Sequence, residues 1–205
     1  GKALRFRPAA LHKLAQSKAY LYSGVEIRWK CAPEIIPENS PVPAEAVFHY
    51  PNGLKDFLDT MLKDQEVITS RPFHGSADLP DNAGRVEFAL AWTSHGDGVS
   101  SSYCNTIPTP QGGTHENGLR MALSRGLKGF GEMTGHKKTS LITAEDIVSG
   151  ATILLSVFIK DPQFQGQTKE KLVNSSLARL VDTAIKDHFD HWLSQSPEDS
   201  TRLLE

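Results

Sequence analysis

The sequence predicts an α+β domain in which one sheet is covered by helices, and three stretches carry that prediction. Residues 86–92 alternate large apolar side chains with Glu87, Ala89 and Ala91, the period of a strand with one face in a core. Residues 151–159 form a nearly continuous run of aliphatic, β-branched and aromatic side chains, which marks a central strand buried on both faces. Leu177, Leu180, Val181, Ala184, Ile185, Phe189 and Trp192 recur at helical spacing, so a long helix must lay that stripe on a partner.

Around these, the elements follow in order. Residues 8–22 read as a helix, with Leu11, Leu14, Ala15 and Lys18 at helical spacing and Pro8 suited to the first turn. Residues 25–31 alternate as a strand. Four prolines, Pro33, Pro37, Pro41 and Pro43, make 33–44 a loop before a short strand at 47–50. Asn52-Gly53 turns the chain into a helix with Leu54, Phe57, Leu58, Met61 and Leu62 on one face. A polar stretch containing Gly and Pro leads to the strand at 86–92, and 96–98 looks like a hairpin turn into a strand at 99–107. Gly112-Gly113 lets the chain bend sharply into a long helix at 115–133, which Thr114 can cap. Asn174-Ser175 offers capping chemistry for the last helix.

At 205 residues the chain suffices for one domain or two small ones and can bury a core without disulfides or metals. Its 22 basic and 24 acidic residues give a net charge of −2, so any DNA contact must be local rather than a global attraction. No apolar run approaches membrane-spanning length, and a soluble cytoplasmic protein is expected. Cys31 and Cys104 lie in no Cys-x-x-Cys pair and are expected as reduced core thiols. The start, Gly1-Lys2-Ala3-Leu4-Arg5, has neither an initiator Met nor an apolar leader and reads as a boundary inside a longer protein.

Two stretches carry chemistry. The first is the strand-to-helix loop 161–169, where Pro162 and Gly166 constrain the backbone and Gln167, Thr168 and Lys169 place amide, hydroxyl and ammonium side by side. A lysine suits a terminal phosphate, and a helix start would add oriented N–H groups. On these residues alone, a solvated surface lysine is the better explanation of the loop. The second is 105–120, running through Gly112-Gly113-Thr114-His115 into the long helix. Leu119, Leu123, Leu127 and Phe130 share its apolar face, and Arg120, Ser124 and Lys128 share a polar one. With Arg125, Lys137 and Lys138 this makes a basic ridge, open to phosphate contact or to plain solvation. The Gly-rich 129–137 fits neither a dinucleotide fingerprint nor a P-loop. His188 and His191, with Asp187 and Asp190, read as structural, and no metal site is expected.

Together these stretches resemble the B subunits of bacterial type IIA DNA topoisomerases, the gyrase and topoisomerase IV family. Its second domain carries a Gly-Gly-Thr-His turn ahead of a long helix and a Pro-x-Phe-x-x-Gln-Thr-Lys loop about fifty residues on, in this order. Residues 20–27 and 50–58 are also similar, so the resemblance covers essentially the whole chain, and 52–56 with 161–164 lean toward topoisomerase IV over gyrase.

The resemblance implies a ribosomal protein S5 domain 2-like fold and a single transducer domain over 1–205. An ATPase domain would lie upstream and a metal-binding DNA-cleavage domain downstream. It implies that Lys169 contacts the terminal phosphate of ATP, completing a catalytic site in the ATPase domain, and that Gln167 and Thr168 are ATP-binding. A basic central cavity for duplex DNA would draw on Arg120, and less on Arg125 and Lys128. The implied cofactors are ATP and Mg, with Mg held by the other domains. Implied partners are the ATPase domain of the same subunit, the A subunit, a second B subunit and double-stranded DNA. The chain lacks the ATPase motifs and the strand-cleaving tyrosine, so alone it should neither hydrolyse ATP nor cut DNA. The expected role is to couple ATP use to strand passage, decatenation and relaxation, with the equivalent gyrase domain as the alternative. A small-molecule kinase of the S5-like fold would need a longer phosphate loop than 111–114 supplies, and an RNA-binding module would need a more basic chain or stacking aromatics.

Overall fold

The computed structural model describes residues 6–205, so Gly1–Arg5 and the boundary read there lie outside the described residues. Packing divides the chain into two compact units, Gly1–Phe57 and Leu58–Glu205, within what the sequence reads as a single domain. The expected single sheet is also two: a two-stranded ribbon in the first unit and a five-stranded sheet in the second.

In the first unit, α1 (Pro8–Leu21) precedes an antiparallel ribbon of β1 (Glu26–Lys30) and β2 (Glu45–His49). His12 of α1 meets the rings of Trp29 and Phe48 edge-on, at 5.4 and 5.2 Å between centroids. The proline-rich connection is fastened at its far end, where the Trp29 indole donates to the Pro43 carbonyl (2.8 Å). Gly53 takes φ +58 in the turn before α2 (Leu54–Met61), a conformation that Gly adopts without strain.

In the second unit, β3 (Phe73–Leu79), β4 (Gly84–Trp92), β5 (Val99–Cys104), β6 (Ile107–Pro108) and β7 (Ala151–Ile159) form a mixed sheet in the order β3-β4-β7-β5-β6. Between β6 and β7 lie α3 (Thr114–Met133) and the short α4 (Ala144–Ser149). After β7 come α5 (Leu177–Gln195) and α6 (Pro197–Leu204).

β7 is central as expected. Ile153, Leu155 and Val157 join the core formed with α3 and α5, while Thr152, Leu154 and Ser156 on its other face are also buried. Phe73, Phe88, Phe189, Trp92 and Trp192 cluster where β3 and β4 meet α5, with successive centroids 4.8 to 6.2 Å apart. Each fully buried ring contributes about 1.5–3 kcal/mol of transfer free energy.

Several expectations are corrected. The polar stretch before β4, to which the sequence assigns no element, contains β3, an edge strand whose outward residues are polar and whose Gly75 leaves room for the Phe88 ring. The turn at 96–98 does not close a hairpin, because β7 lies between β4 and β5 and pairs with β5 in parallel. That turn is instead held to the entry of β7, through Thr93 N–H to Gly150 (2.9 Å) and Gly98 N–H to Ser149 (2.7 Å). A strand buried on both faces needs two flanking strands, and β7 takes β4 and β5. Cys104 is buried and burial pushes its thiol up to about 11, whereas Cys31 is only half-buried rather than a core thiol. Among the described residues, no helix is long and apolar enough to cross a membrane.

Candidate functional site

Beyond β7 the chain does not pass directly into α5. Asn105 pins the strand's end, accepting from the Ile159 N–H and donating to its carbonyl, both at 2.9 Å. Residues 163–165 then run outward and 171–173 return beside them, with Gln165 N–H to Lys171 (2.9 Å) and Val173 N–H to Gln163 (2.8 Å). Leu172 is fully buried and Phe164 packs on the core, so the base of this narrow hairpin is anchored in apolar contacts. The tip turns through positive φ at Gly166 (+72) and Lys169 (+57). A lysine in the left-handed region carries strain of about 1 kcal/mol, which persists only when the surroundings hold it there.

Gln167, Thr168 and Lys169 occupy that tip. All three are exposed and, among the described residues, none makes a side-chain hydrogen bond or ion pair. The expected support from a helix start does not materialise: α5 begins at Leu177, after the return arm, and a helix dipole acts only within its own first turn. Nor does the Asn174-Ser175 pair cap α5. Ser176 is the cap residue without a side-chain bond, and the Asn174 amide instead accepts from Gln163 N–H at 2.7 Å, bracing the hairpin.

The second motif lies against the first. Leu172 N–H donates to Gly112 (3.1 Å), Thr114 N–H donates to Leu172 (3.0 Å), and Gln111 N–H donates to Glu170 (3.0 Å). The Gln111 amide also donates to the Glu170 carboxylate at 2.8 Å. Gly113 is required by this approach, because a Cβ there (φ +142) would collide with the Leu172 backbone, and Gly112 takes φ +74, a conformation that favours glycine. Thr114 is the first residue of α3 rather than its cap, which is Gly113, and its hydroxyl is buried without a partner. Sequence reasoning did not single out Gln111, Glu170 or Leu172 for this contact, because the partners are about sixty residues apart and only the fold brings them together.

Behind the turn runs a directed chain of hydrogen bonds. The Glu116 carboxylate can only accept, so the Ser102 hydroxyl donates to it (2.7 Å). Thr109 then donates to Ser102 (2.8 Å), and the Thr109 oxygen accepts from His115 Nε2 (2.9 Å). His115 is therefore the Nε2–H tautomer. It has no solvent exposure, its Nδ1 lacks a partner, and burial lowers its pKa to about 4. It acts as a neutral buckle that ties α3 to Thr109, just after β6, and through it to Ser102 of β5.

The three basic residues assigned to α3 face different surroundings. Arg120 lines a groove of about 320 Å³ shared with Asp97, Glu116 and Glu145, its guanidinium 4.0 Å from Glu145. Arg125 turns the other way and pairs at 2.6 Å with Asp182 of α5, a carboxylate that is 6% exposed. Lys128 is half-buried and, among the described residues, makes no ion pair. So Arg120 and Lys128 share a row while Arg125 ties two helices together. No group of three His, Cys, Asp or Glu side chains that could hold a metal occurs among the described residues.

The chain is 48% identical over 204 residues to the B subunit of DNA topoisomerase 4 from Bartonella bacilliformis, covering 100% of this chain and 29% of that protein. It is 50% identical over 209 residues to the protein of the same name from Caulobacter vibrioides, covering 100% of this chain and 30% of the relative. The chain thus spans less than a third of the length of these curated relatives. Among solved structures, the topoisomerase IV ATP-binding domain of Francisella tularensis, bound to a small-molecule inhibitor, aligns with a TM-score of 0.79 at 29% identity, over 99% of this chain and 52% of that one. The B-subunit of the DNA gyrase from Myxococcus xanthus shares the fold, with a TM-score of 0.79 at 21% identity over 98% of this chain and 61% of that one. The family model described as DNA gyrase B matches residues 53–205, nearly coincident with the second unit, and by that match over well more than half its length the chain belongs to the DNA gyrase B family.

Proposed function

We propose that the second unit is the transducer of a type IIA DNA topoisomerase B subunit, of the topoisomerase IV branch, with the ribosomal protein S5 domain 2-like fold. The proposal is narrower than a transducer over 1–205, since the family match and the packing division both begin near residue 55. One observation carries it. The hairpin tip holds an ammonium, an amide and a hydroxyl out to solvent with no partner among the described residues, on a base fastened to the core. A cation left unpaired at the end of a braced projection is available to a ligand held by another domain. Here that ligand is ATP, bound with Mg by the adjacent ATPase domain of the same subunit.

In this proposal Lys169 meets the terminal phosphate, where a fixed positive charge stabilises negative charge developing on the transferred group. Gln167 supports the same site and Thr168 lies beside it. Loss of the phosphate removes Lys169's counter-charge and releases the hairpin, which is how hydrolysis would be signalled to the DNA gates. The full protein would act in the cytoplasm as an ATP-hydrolysing topoisomerase, with a second B subunit, an A subunit and double-stranded DNA, and its outcome would be strand passage, decatenation and relaxation. The names of the similar relatives support this assignment.

The test is Lys169→Ala in the full-length subunit. Turnover of ATP is expected to fall about 100-fold, the scale of removing one preorganised charge contact, with circular dichroism unchanged. Wild-type turnover would falsify the role of Lys169. The gyrase alternative, which the name of the family model favours, is separated by product: negative supercoiling of relaxed plasmid with the A subunit indicates gyrase, decatenation without it topoisomerase IV.

A further inference from the structure

The tip residues do not hold themselves in place. Lys169 and Gly166 both sit at positive φ, and the side chains of Gln167, Thr168 and Lys169 make no hydrogen bond that would fix them among the described residues. What fixes the tip is the residue after Lys169. Glu170 is held twice by Gln111, through its carbonyl to the Gln111 N–H (3.0 Å) and through its carboxylate to the Gln111 amide (2.8 Å). Gln111 lies two residues before Gly113, whose backbone pairs with Leu172 on the same return arm. The clamp is therefore set at the first residue after the tip, where the chain returns to the core.

We propose that Gln111 and Glu170 form a positioning pair that fixes the Lys169 tip against the start of α3, a role beyond the contact with ATP itself. The inference rests on the proposed ATP role of Lys169 for its effect on turnover, but not for its effect on the hairpin. In this proposal neither residue is assigned a contact with the ligand. Their work is to remove freedom from a hairpin whose arms are joined at its base, by the pairings of 163–165 with 171–173 and by the Asn174 amide on Gln163 N–H, and not at its tip among the described residues. Positioning of this kind acts on the rate of the chemical step, because a charge displaced by about 1 Å no longer meets the group it serves. Binding of ATP, carried by the ATPase domain, is left alone.

The pair can be inverted, which provides the test. Gln111→Glu sets two carboxylates side by side and opens the clamp. The swap Gln111→Glu with Glu170→Gln restores one amide donor and one carboxylate acceptor. Two readouts are taken in the full-length subunit: hydrogen exchange of the amides of Gln111, Gln165, Leu172 and Val173, and steady-state ATP turnover.

In Gln111→Glu we expect those amides to exchange about tenfold faster and kcat to fall about tenfold with KM for ATP held within about twofold, and the swap to restore both. Unchanged exchange in Gln111→Glu overturns the inference, and so does a swap that restores nothing. Full turnover in Gln111→Glu, where Lys169→Ala is inactive and exchange has risen, overturns it as well. If Lys169→Ala retains full turnover while exchange responds and recovers as expected, the ATP reading fails and the clamp stands.

Discussion

At the residue scale, His115 carries a consequence for stability. It is fully buried and neutral, donating through Nε2 to Thr109, and burial alone depresses its pKa from 6.5 to about 4. Between those values the unfolded chain binds a proton that the folded chain refuses, so stability falls as pH falls. The loss begins near pH 6.5 and is complete below about pH 4, while stability above pH 7 is unaffected by this group. Between pH 7 and pH 5 the loss amounts to about 2 kcal/mol. Denaturant midpoints at the two pH values measure it. His115→Gln removes the titrating group, and its stability should be flat over the same interval. An equal slope in that variant would assign the pH dependence to some other group.

At the scale of elements, the decisive contact is between α3 and α5. Gly118, Ala122 and Gly126 lie one turn apart on α3, and a Cβ on Gly118 would come within 2.5 Å of the Ala178 carbonyl and 2.7 Å of Val181 Cβ. On Gly126 it would meet the Phe189 ring at 2.6 Å. Gly129, on the same helix, has nothing within 4 Å of that position. Helix propensity alone favours Ala over Gly by about 1 kcal/mol at any of these sites. Gly129→Ala should therefore stabilise by about 0.5–1 kcal/mol, whereas Gly118→Ala should destabilise by about 1–3 kcal/mol, since a backbone carbonyl cannot rotate away. Thermal unfolding of the two variants checks the opposite signs. The helical period alone made both α3 and α5 legible, but it did not show which glycines were filled against a neighbour. The same boundary separates what else could be read. β7 was legible from its own nine residues, while its insertion between β4 and β5 depends on partners about 60 residues away in sequence, and β3 was hidden by Gly75 and its polar outward face. Of the site, Gln167 to Lys169 stood out only through the motif they share with a family. Their side-chain chemistry is that of any polar loop, and Gln111, which braces them, carried no local signal.

At the scale of the whole molecule, a chain of net charge −2 approaches a polyanion without long-range attraction, so the proposed contact with DNA would have to come from local cations. Arg125 is already engaged by Asp182, which leaves Arg120 and Lys128 on the row where phosphate contact was expected. Arg120 shares its groove with three carboxylates, Asp97, Glu116 and Glu145, and its pairing with Glu145 is a weak one, 4.0 Å apart and mostly exposed. An exposed pair of that kind exchanges readily for a phosphate oxygen, which carries comparable charge and can accept two of the guanidinium's N–H groups. Reversing the charge leaves four carboxylates around one groove and converts the contact into repulsion. In the full-length subunit, Arg120→Glu should therefore weaken DNA binding, lower the slope of log affinity against log salt by about 1, and reduce the stimulation of ATP turnover by DNA. Glu145→Gln should do the reverse, raising affinity at low salt by freeing Arg120 from its neighbour. A salt slope and a DNA stimulation that both match wild type in Arg120→Glu would remove this helix face from the path of the duplex.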